Sequence, residues 1–219
     1  MIALIFATSL EARPFLVLSQ AVRQTSEPFR VYHTPLQPRL RIVISGIGKV
    51  AAAAACQAMI LTYRSQQIIN AGACGLLQDL PGVAVGHLVR ITTAQEGDHE
   101  VFGKRPIPVN CGVSLSPELP PARLVTGDRP VFDQRRRRAY AKLGDVVDME
   151  GAAIARVCDL YNVPRELIKG ISDTAEPMNR KMLLQNLNTV SASIADFLWR
   201  AMGDCGARFH LDTLGIKTS

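Results

Sequence analysis

The chain has 219 residues, of which 47% are hydrophobic and 20% charged, with a net charge of +6. This length and composition predict one compact domain spanning residues 1–219, and they argue against two domains or a disordered chain. The positive charge is compatible with nucleic acid, but much of it lies in the run Arg135–Arg138, which is typical of a solvated helix face. Since no aromatic pattern or motif of a nucleic-acid reader accompanies that run, we expect no nucleic-acid partner.

The first residues, MIALIFA, form a short apolar stretch without a positive leading region, which is typical of a buried strand and not of a signal peptide. No apolar run approaches membrane-spanning length, so no membrane partner is expected. The five cysteines are odd in number and scattered, which favours free thiols over disulfides or a zinc site. We therefore expect a cytoplasmic protein.

The first strand is predicted at Ile2–Ala7, where a continuous apolar run indicates a central parallel strand covered on both faces. An apolar helix is predicted from Pro14 to about Val22, because proline is tolerated in a first helical turn. Glu11 lies between these two elements, on the carboxyl edge of the predicted sheet. A helix N-terminus favours an ionised carboxylate, so Glu11 would be available as a base.

The next segment, Thr25–Arg39, is polar and contains three prolines, which indicates a hairpin or a loop. A strand at Leu40–Ser45, a glycine-containing turn and a helix from Val50 to about Arg64 are predicted after it. The strand at Ile68–Ala71 is then predicted to end in a second glycine-rich turn at residues 72–75. Further strands are predicted at 86–93 and 123–126, and a helix at 133–143.

The stretch from Asp145 to Asp173 reads as strand, helix and strand, which predicts a right-handed parallel crossover. Glu150 closes the first of these strands and Asp173 closes the second, at the edge where open α/β sheets bind ligands. The alternative is that both carboxylates only cap the segments that follow them. An apolar stripe at helical spacing from Met178 onward predicts a C-terminal core helix.

Six short segments carry a resemblance to a known family: SGIGKV at 45–50, NAGACG at 70–75, VGH at 85–87, TGD at 126–128, DMEG at 148–151 and ISD at 171–173. In this order they resemble the purine nucleoside phosphorylase and nucleosidase superfamily over residues 1–203, and are most similar to its 5′-methylthioadenosine/S-adenosylhomocysteine nucleosidases. The resemblance implies a three-layer α/β/α fold with a twisted mixed sheet. It also implies a homodimer with a small-molecule purine nucleoside as substrate, and neither a metal nor an organic cofactor.

The resemblance also implies roles for individual residues. Asp173 would be the catalytic acid that protonates purine N7, and Glu11 the base that activates water. Met149 would pack on the ribose while Glu150 binds its hydroxyls. The remaining substrate-binding positions implied in this way are Val131, Phe132, Gly72, Ala73 and Lys169.

The chain departs from the family pattern at several positions. The phosphorylases bind phosphate partly through an arginine and a serine, which fall here on Asn70 and Ala73, so that the bidentate phosphate fork is missing. The nucleosidases usually carry arginine where this chain has Lys169, and their 86–126 region is longer. The leading hypothesis is a nucleosidase that cleaves a 5′-modified purine nucleoside. The alternatives are a phosphate-dependent purine nucleoside phosphorylase and a non-catalytic nucleoside-binding protein of the same fold.

Overall fold

The computed structural model describes residues 1–100, 102–112, 115–176 and 179–213, with side chains as far as Gly203. The described residues form ten strands and five helices. In chain order these are β1 (Ile2–Phe6), α1 (Ser9–Leu18), β2 (Val22–Thr25), β3 (Arg30–Thr34), β4 (Gln37–Ile44), α2 (Lys49–Leu61), β5 (Gln67–Leu76), β6 (Leu88–Glu96), β7 (Val109–Asn110), β8 (Pro121–Thr126), α3 (Gln134–Ala141), β9 (Val146–Asp148), α4 (Gly151–Leu160), β10 (Arg165–Asp173) and α5 (Arg180–Thr213).

The central strand β1 explains why its sequence is apolar without alternation. Leu4 and Phe6 pack on one side of the sheet with α1 and α5, whereas Ala3 and Ile5 pack on the other side with α2 and α4. Both faces of the strand are therefore buried, as in other parallel sheets that are covered by helices. Helices on both faces of a mixed sheet confirm the predicted three-layer α/β/α class.

The sheet closes on itself at one end. β1 pairs in parallel with β4 and β5, and β4 continues into the antiparallel strands β3 and β2. On the other side, β5, β10, β6, β8 and β9 pair successively until β9 returns to β5, forming a five-stranded ring. The ring is possible because β5 is ten residues long and exchanges its neighbour from β1 to β9 along one edge.

The predicted parallel crossover between β9 and β10 is wrong. β9 pairs in parallel with β8 and antiparallel with the end of β5, while β10 occupies the opposite edge of β5. The helix α4 thus carries the chain across β5 and not to a neighbouring strand. Glu150 and Asp173 still come close together, because Gly75 of β5 is paired with Val147 on one side and with Asp173 on the other.

Two local predictions also need correction. The helix α1 begins at Ser9 and ends at Leu18, because Gln20 takes a positive φ of 52° that turns the chain into β2, so Val22 is in a strand. Residues 72–75 are not a turn but part of β5. Of the two alternatives predicted for 25–39, a hairpin or a loop, the antiparallel pair β3 and β4 supports the hairpin.

Four cysteines have described side chains, and all four are free thiols, as predicted: Cys56, Cys74, Cys111 and Cys158. The C-terminal helix is confirmed as α5, while Met178, where its stripe was predicted to begin, lies outside the described residues. Among the described helices, none is both long and apolar enough to cross a membrane.

Candidate active site

A cavity of about 430 Å³ lies where β1, β5, β9 and β10 end. Its described lining includes four carboxylates: Glu11, Asp148, Glu150 and Asp173. All four of these residues are buried. The apolar part of the wall comes from Leu10, Ile47, Val131, Phe132, Leu183 and Leu187. Acidic groups converging in an apolar cavity are the usual composition of a ligand site.

Glu11 is fixed by the first turn of α1. Thr8 is the N-cap, and its hydroxyl oxygen accepts a hydrogen bond from the Glu11 amide at 3.3 Å. In return, Glu11 Oε2 accepts from the Thr8 amide at 3.0 Å and from the Thr8 hydroxyl at 2.7 Å. This reciprocal capping box is encoded by the sequence Thr-Ser-Leu-Glu. Glu11 Oε1 accepts from the amide of Ala73 at 3.0 Å, so the carboxylate is also tied to β5.

Glycines in β5 make room for the carboxylates. A Cβ atom on Gly72 would lie 2.8 Å from Glu11 Oε1, and one on Gly75 would lie 2.8 Å from Asp173 Oδ1. Both distances are shorter than side chains tolerate. The glycine-rich segment was predicted as a turn, and its role is instead to let two acidic side chains approach a strand backbone closely.

Glu150 is held by a single described hydrogen bond, from the amide of Gly48 to its Oε1 at 2.8 Å. Burial raises its pKa to about 7, and the charges of Asp148 and Glu11 act in the same direction, while Lys169 and the Gly48 amide oppose them. Glu150 precedes α4 but makes no cap bond with its side chain. Glu150 is thus the N-cap residue of α4 by position, but its carboxylate does not cap the helix.

Asp148 performs the capping instead. Its Oδ2 accepts from the amide of Gly151 at 2.8 Å, and its Oδ1 accepts from the Thr126 hydroxyl at 2.5 Å. Thr126 also accepts from the amide of Ala152 at 2.9 Å, so two polar side chains together satisfy the start of α4. Asp148 was not predicted as a site residue, although it lies in the DMEG segment.

Lys169 forms an ion pair with Asp148 in the protein interior. The distance from Nζ to Asp148 Oδ2 is 2.8 Å, and the two side chains are 2% and 1% exposed. Burial by itself would lower the pKa of Lys169, but the charges of Asp148 and Glu150 and the hydrogen bond to Asp148 raise it overall. Lys169 therefore remains a cation behind the cavity wall and is not among the residues that line the cavity.

Asp173 ends β10 and faces the cavity. Its Oδ2 accepts from the Ser172 hydroxyl at 2.7 Å, and its Oδ1 accepts from the Ala175 amide at 2.8 Å. The bond to Ala175 is the local turn that the alternative interpretation anticipated, so Asp173 has a structural contact as well as a position in the cavity wall.

The structure also places the other predicted site residues. Met149, Ala73, Val131 and Phe132 line the cavity, whereas Gly72 lies beside the Glu11 carboxylate and is not among the lining residues. The residues missed from the sequence are mainly apolar wall positions: Leu10, Ile47, Leu183 and Leu187. Spacing alone cannot separate such residues from the core that surrounds them.

Binding of a phosphate or a metal ion would need cationic side chains or a cluster of metal ligands. Asn70 is buried in β5, where its amide donates to the carbonyl of Ile5 at 3.1 Å, and it does not line the cavity. Of the lining residues that the structure describes, Arg129 is the cation, at an exposed position. Within the described part of the chain, no group of three or more His, Cys, Asp or Glu side chains is arranged to hold a metal ion.

Fold and site together define an α/β protein with a carboxylate-lined cavity at the ends of its central strands. The sequence model of the phosphorylase superfamily matches residues 1–123 and 112–202, and the chain belongs to this superfamily. This match confirms the resemblance noted in the sequence.

Individual relatives agree with that assignment. A 5′-methylthioadenosine/S-adenosylhomocysteine nucleosidase of Arabidopsis thaliana is 27% identical over 92% of this chain and 90% of its own length. The enzyme of the same name from Baumannia cicadellinicola is 29% identical over 70% of this chain and 76% of its own. Among solved structures, the Helicobacter pylori nucleosidase of this name superposes with a TM-score of 0.84 at 21% identity, covering 93% of this chain and 97% of its own. The futalosine hydrolase of Helicobacter pylori gives 0.83 at the same identity and coverage.

Proposed function

We propose that this protein is a nucleosidase that hydrolyses the N-glycosidic bond of a 5′-modified purine nucleoside, as the names of its relatives suggest. The observation that carries the proposal is the convergence of four buried carboxylates on one cavity of nucleoside size. Cleavage of a glycosidic bond passes through an oxocarbenium-like state, which carboxylates stabilise while a carboxylic acid protonates the leaving group.

In this proposal Asp173 is the acid. Its carboxyl group lies at the end of β10 on the cavity wall, where it can deliver a proton to purine N7. The Ser172 hydroxyl and the Ala175 amide fix its orientation, which is needed for proton transfer along one direction. Protonation at N7 lets the base leave as a neutral molecule.

Glu11 is the base that activates the attacking water. Hydrogen bonds from Thr8 and Ala73 fix both of its oxygens, so the carboxylate does not have to reorient before reaction. Met149 and Glu150 both line the cavity, and together these two residues hold the ribose: the methionine packs on the sugar while the glutamate accepts from its hydroxyls.

The acidic lining favours water over phosphate as the nucleophile. A phosphate ion would enter a cavity with four carboxylates, and the positions of the phosphorylase ligands are occupied by a buried asparagine and by Ala73. An anion placed there is repelled, since like charges within a few ångströms cost several kcal/mol, on the order of 4 at 4 Å, in a partly buried site. We further propose that the protein is cytoplasmic, that it is a homodimer, and that each chain forms a single domain.

The test is release of base from 5′-methylthioadenosine, S-adenosylhomocysteine, adenosine and inosine, followed chromatographically with and without inorganic phosphate. We expect free base and free sugar without phosphate. Base that appears only with phosphate, together with a sugar 1-phosphate, would instead indicate a phosphorylase. Tight nucleoside binding without any base release would indicate a non-catalytic binding protein. Light scattering during gel filtration tests the homodimer.

A further inference from the structure

Outside the cavity, three carboxylates surround a single lysine. Lys49 Nζ lies 2.9 Å from Glu96 Oε2, 2.6 Å from Asp98 Oδ1 and 3.8 Å from Asp128 Oδ2. Lys49 is the first residue of α2, Glu96 ends β6, and Asp98 and Asp128 follow β6 and β8. We call these four residues the Lys49 cluster. It joins three segments that are distant in sequence.

The cluster lies between two walls of the cavity. On one side, the Gly48 amide donates to Glu150 Oε1, and on the other the Lys49 amide donates to Asp128 Oδ1, both at 2.8 Å. The two successive amides thus bind one carboxylate inside the cavity and one outside it. Asp128 is followed directly by residues 129–132, all of which line the cavity.

The Gly48 backbone allows this arrangement. Its φ is +97°, a conformation that side chains rarely adopt, and a Cβ atom there would lie 3.2 Å from Asp128 Oδ1. The Asp128 amide in turn donates to Asp98 Oδ2 at 2.8 Å. Without the Lys49 cation, three carboxylates would repel each other at the junction of these segments.

We propose that Lys49 is a positioning residue: it holds the turn at residues 46–49, which binds Glu150, in register with the cavity wall at 128–132. Lys49 does not line the cavity, so it acts through these two segments. The kinetic part of its test rests on the proposed nucleosidase activity, whereas the structural part does not.

The test compares three variants of the full chain. Lys49→Met removes the charge, Lys49→Arg retains it, and Arg165→Met removes a cation of similar exposure (15% against 16%) that pairs with Asp159 at the opposite end of β10 from the cavity. With 5′-methylthioadenosine we expect Lys49→Met to lower kcat/KM about tenfold, mainly through KM, because binding groups are displaced while the proton-transfer groups are not. Lys49→Arg should stay within about threefold of the wild type.

Charge removal in the cluster provides a rescue. Asp98→Asn in the Lys49→Met background removes one uncompensated charge and retains the oxygen that accepts from the Asp128 amide, so KM should recover by about threefold. A lower kcat at unchanged KM, or an equal loss in Arg165→Met, would indicate a general loss of folded protein and would overturn the proposal.

Hydrogen exchange tests the positioning role without turnover. In Lys49→Met, the amides at 46–49 and those at 128, 129, 131 and 132 should exchange faster together, while those of β10 keep their protection. If only one of the two segments changes, Lys49 does not couple them and the proposal is wrong. A wild-type protein that releases no base would refute the nucleosidase assignment, but the exchange result would still decide the role of Lys49.

Discussion

Two acidic clusters in this protein each contain one lysine, and the lysine is used differently in each. In the Lys49 cluster, all three carboxylates lie within 4 Å of the ammonium group. The second cluster, which we call the inner cluster, lies at the cavity, where Lys169 behind the wall pairs with Asp148 alone among the residues that the structure describes. The inner cluster also contains Glu11, Glu150 and Asp173.

The pKa values differ accordingly. In the Lys49 cluster, burial alone would raise the pKa of Asp98, but the hydrogen bond from Lys49, the hydrogen bond from the Asp128 amide and the charge of Lys49 lower it overall. In the inner cluster, burial raises the pKa of Glu150 to about 7, and the charge of Asp148 adds to that effect. Carboxylates that are neutralised locally serve structure, whereas carboxylates left without a cation retain the capacity to bind protons and polar ligand groups. The comparison therefore separates a structural acidic cluster from a chemical one.

The largest effect is expected from Asp173→Asn, which removes the proposed acid of the inner cluster. Asparagine there retains the shape and can still accept from the Ala175 amide, but it cannot deliver a proton. General acid catalysis contributes about 10²–10⁴-fold, so Asp173→Asn should lose that much in kcat. Nucleoside affinity should change little, because the asparagine amide can still donate a hydrogen bond to purine N7.

Turnover, nucleoside binding and melting temperature should be measured on one preparation of Asp173→Asn. The matched control is Asp98→Asn in the Lys49 cluster, which makes the same chemical change outside the cavity and should retain most of the turnover. Near-normal kcat in folded Asp173→Asn would exclude leaving-group protonation by this residue, and the carboxylate would then be only the acceptor of a local turn.

The sequence predicted the elements of this fold better than their pairing. The alternation of Leu4 and Phe6 with Ala3 and Ile5 cannot be read from an apolar run, but burial on both faces can, and it was confirmed. The order of β9 and β10 could not be predicted. It depends on β5 exchanging its partner along its length, which is a long-range property that local patterns do not encode.

Glu150 and Asp173, two of the four cavity carboxylates, were predicted for a reason that this error does not affect. Asp173 ends β10 and Glu150 lies two residues after the end of β9. Both strands flank Gly75, so the two residues converge although their strands do not pair. The ion pair of Asp148 with Lys169 could not be predicted, because its partners are far apart in sequence and either could equally have faced solvent or substrate. The Thr8–Glu11 capping box, in contrast, has a recognisable signature in the local sequence.

A second way to test the comparison is to remove the lysine from the inner cluster. Lys169→Met leaves the carboxylate of Asp148 buried without its cation, which should cost about 3–5 kcal/mol in the free energy of unfolding. Arg165→Met, on the same strand, breaks a pair whose partner Asp159 is largely exposed, and it should cost less than about 1 kcal/mol. Urea unfolding of the two variants measures the difference.

The double variant Lys169→Met, Asp148→Asn provides the control for that experiment. Removing both charges should recover most of the lost stability, because the penalty comes from the unpaired carboxylate and not from the absent lysine. If Lys169→Met is no less stable than Arg165→Met, then Asp148 accepts a proton at no cost and the ion pair does not maintain the inner cluster.

The smallest expected effect concerns the proton on Glu150. Its pKa is about 7 in the folded protein against an ordinary 4.5, so between these two pH values the folded state holds a proton that the unfolded state releases. Stability should therefore fall as pH rises from about 5 to 8, by roughly 3 kcal/mol at most, and Glu150→Gln should not show that fall. Unfolding of both proteins in urea at pH 5 and pH 8 measures the difference.

The same ionisation should strengthen the hydrogen bonds from the ribose hydroxyls to Glu150. Adenosine should therefore bind more tightly as pH rises through 7, while 2′-deoxyadenosine gains less because it lacks one hydroxyl. Parallel pH curves for the wild type and Glu150→Gln would place Glu150 with the neutralised carboxylates of the Lys49 cluster, and the distinction between the two clusters would then rest on Asp173 alone.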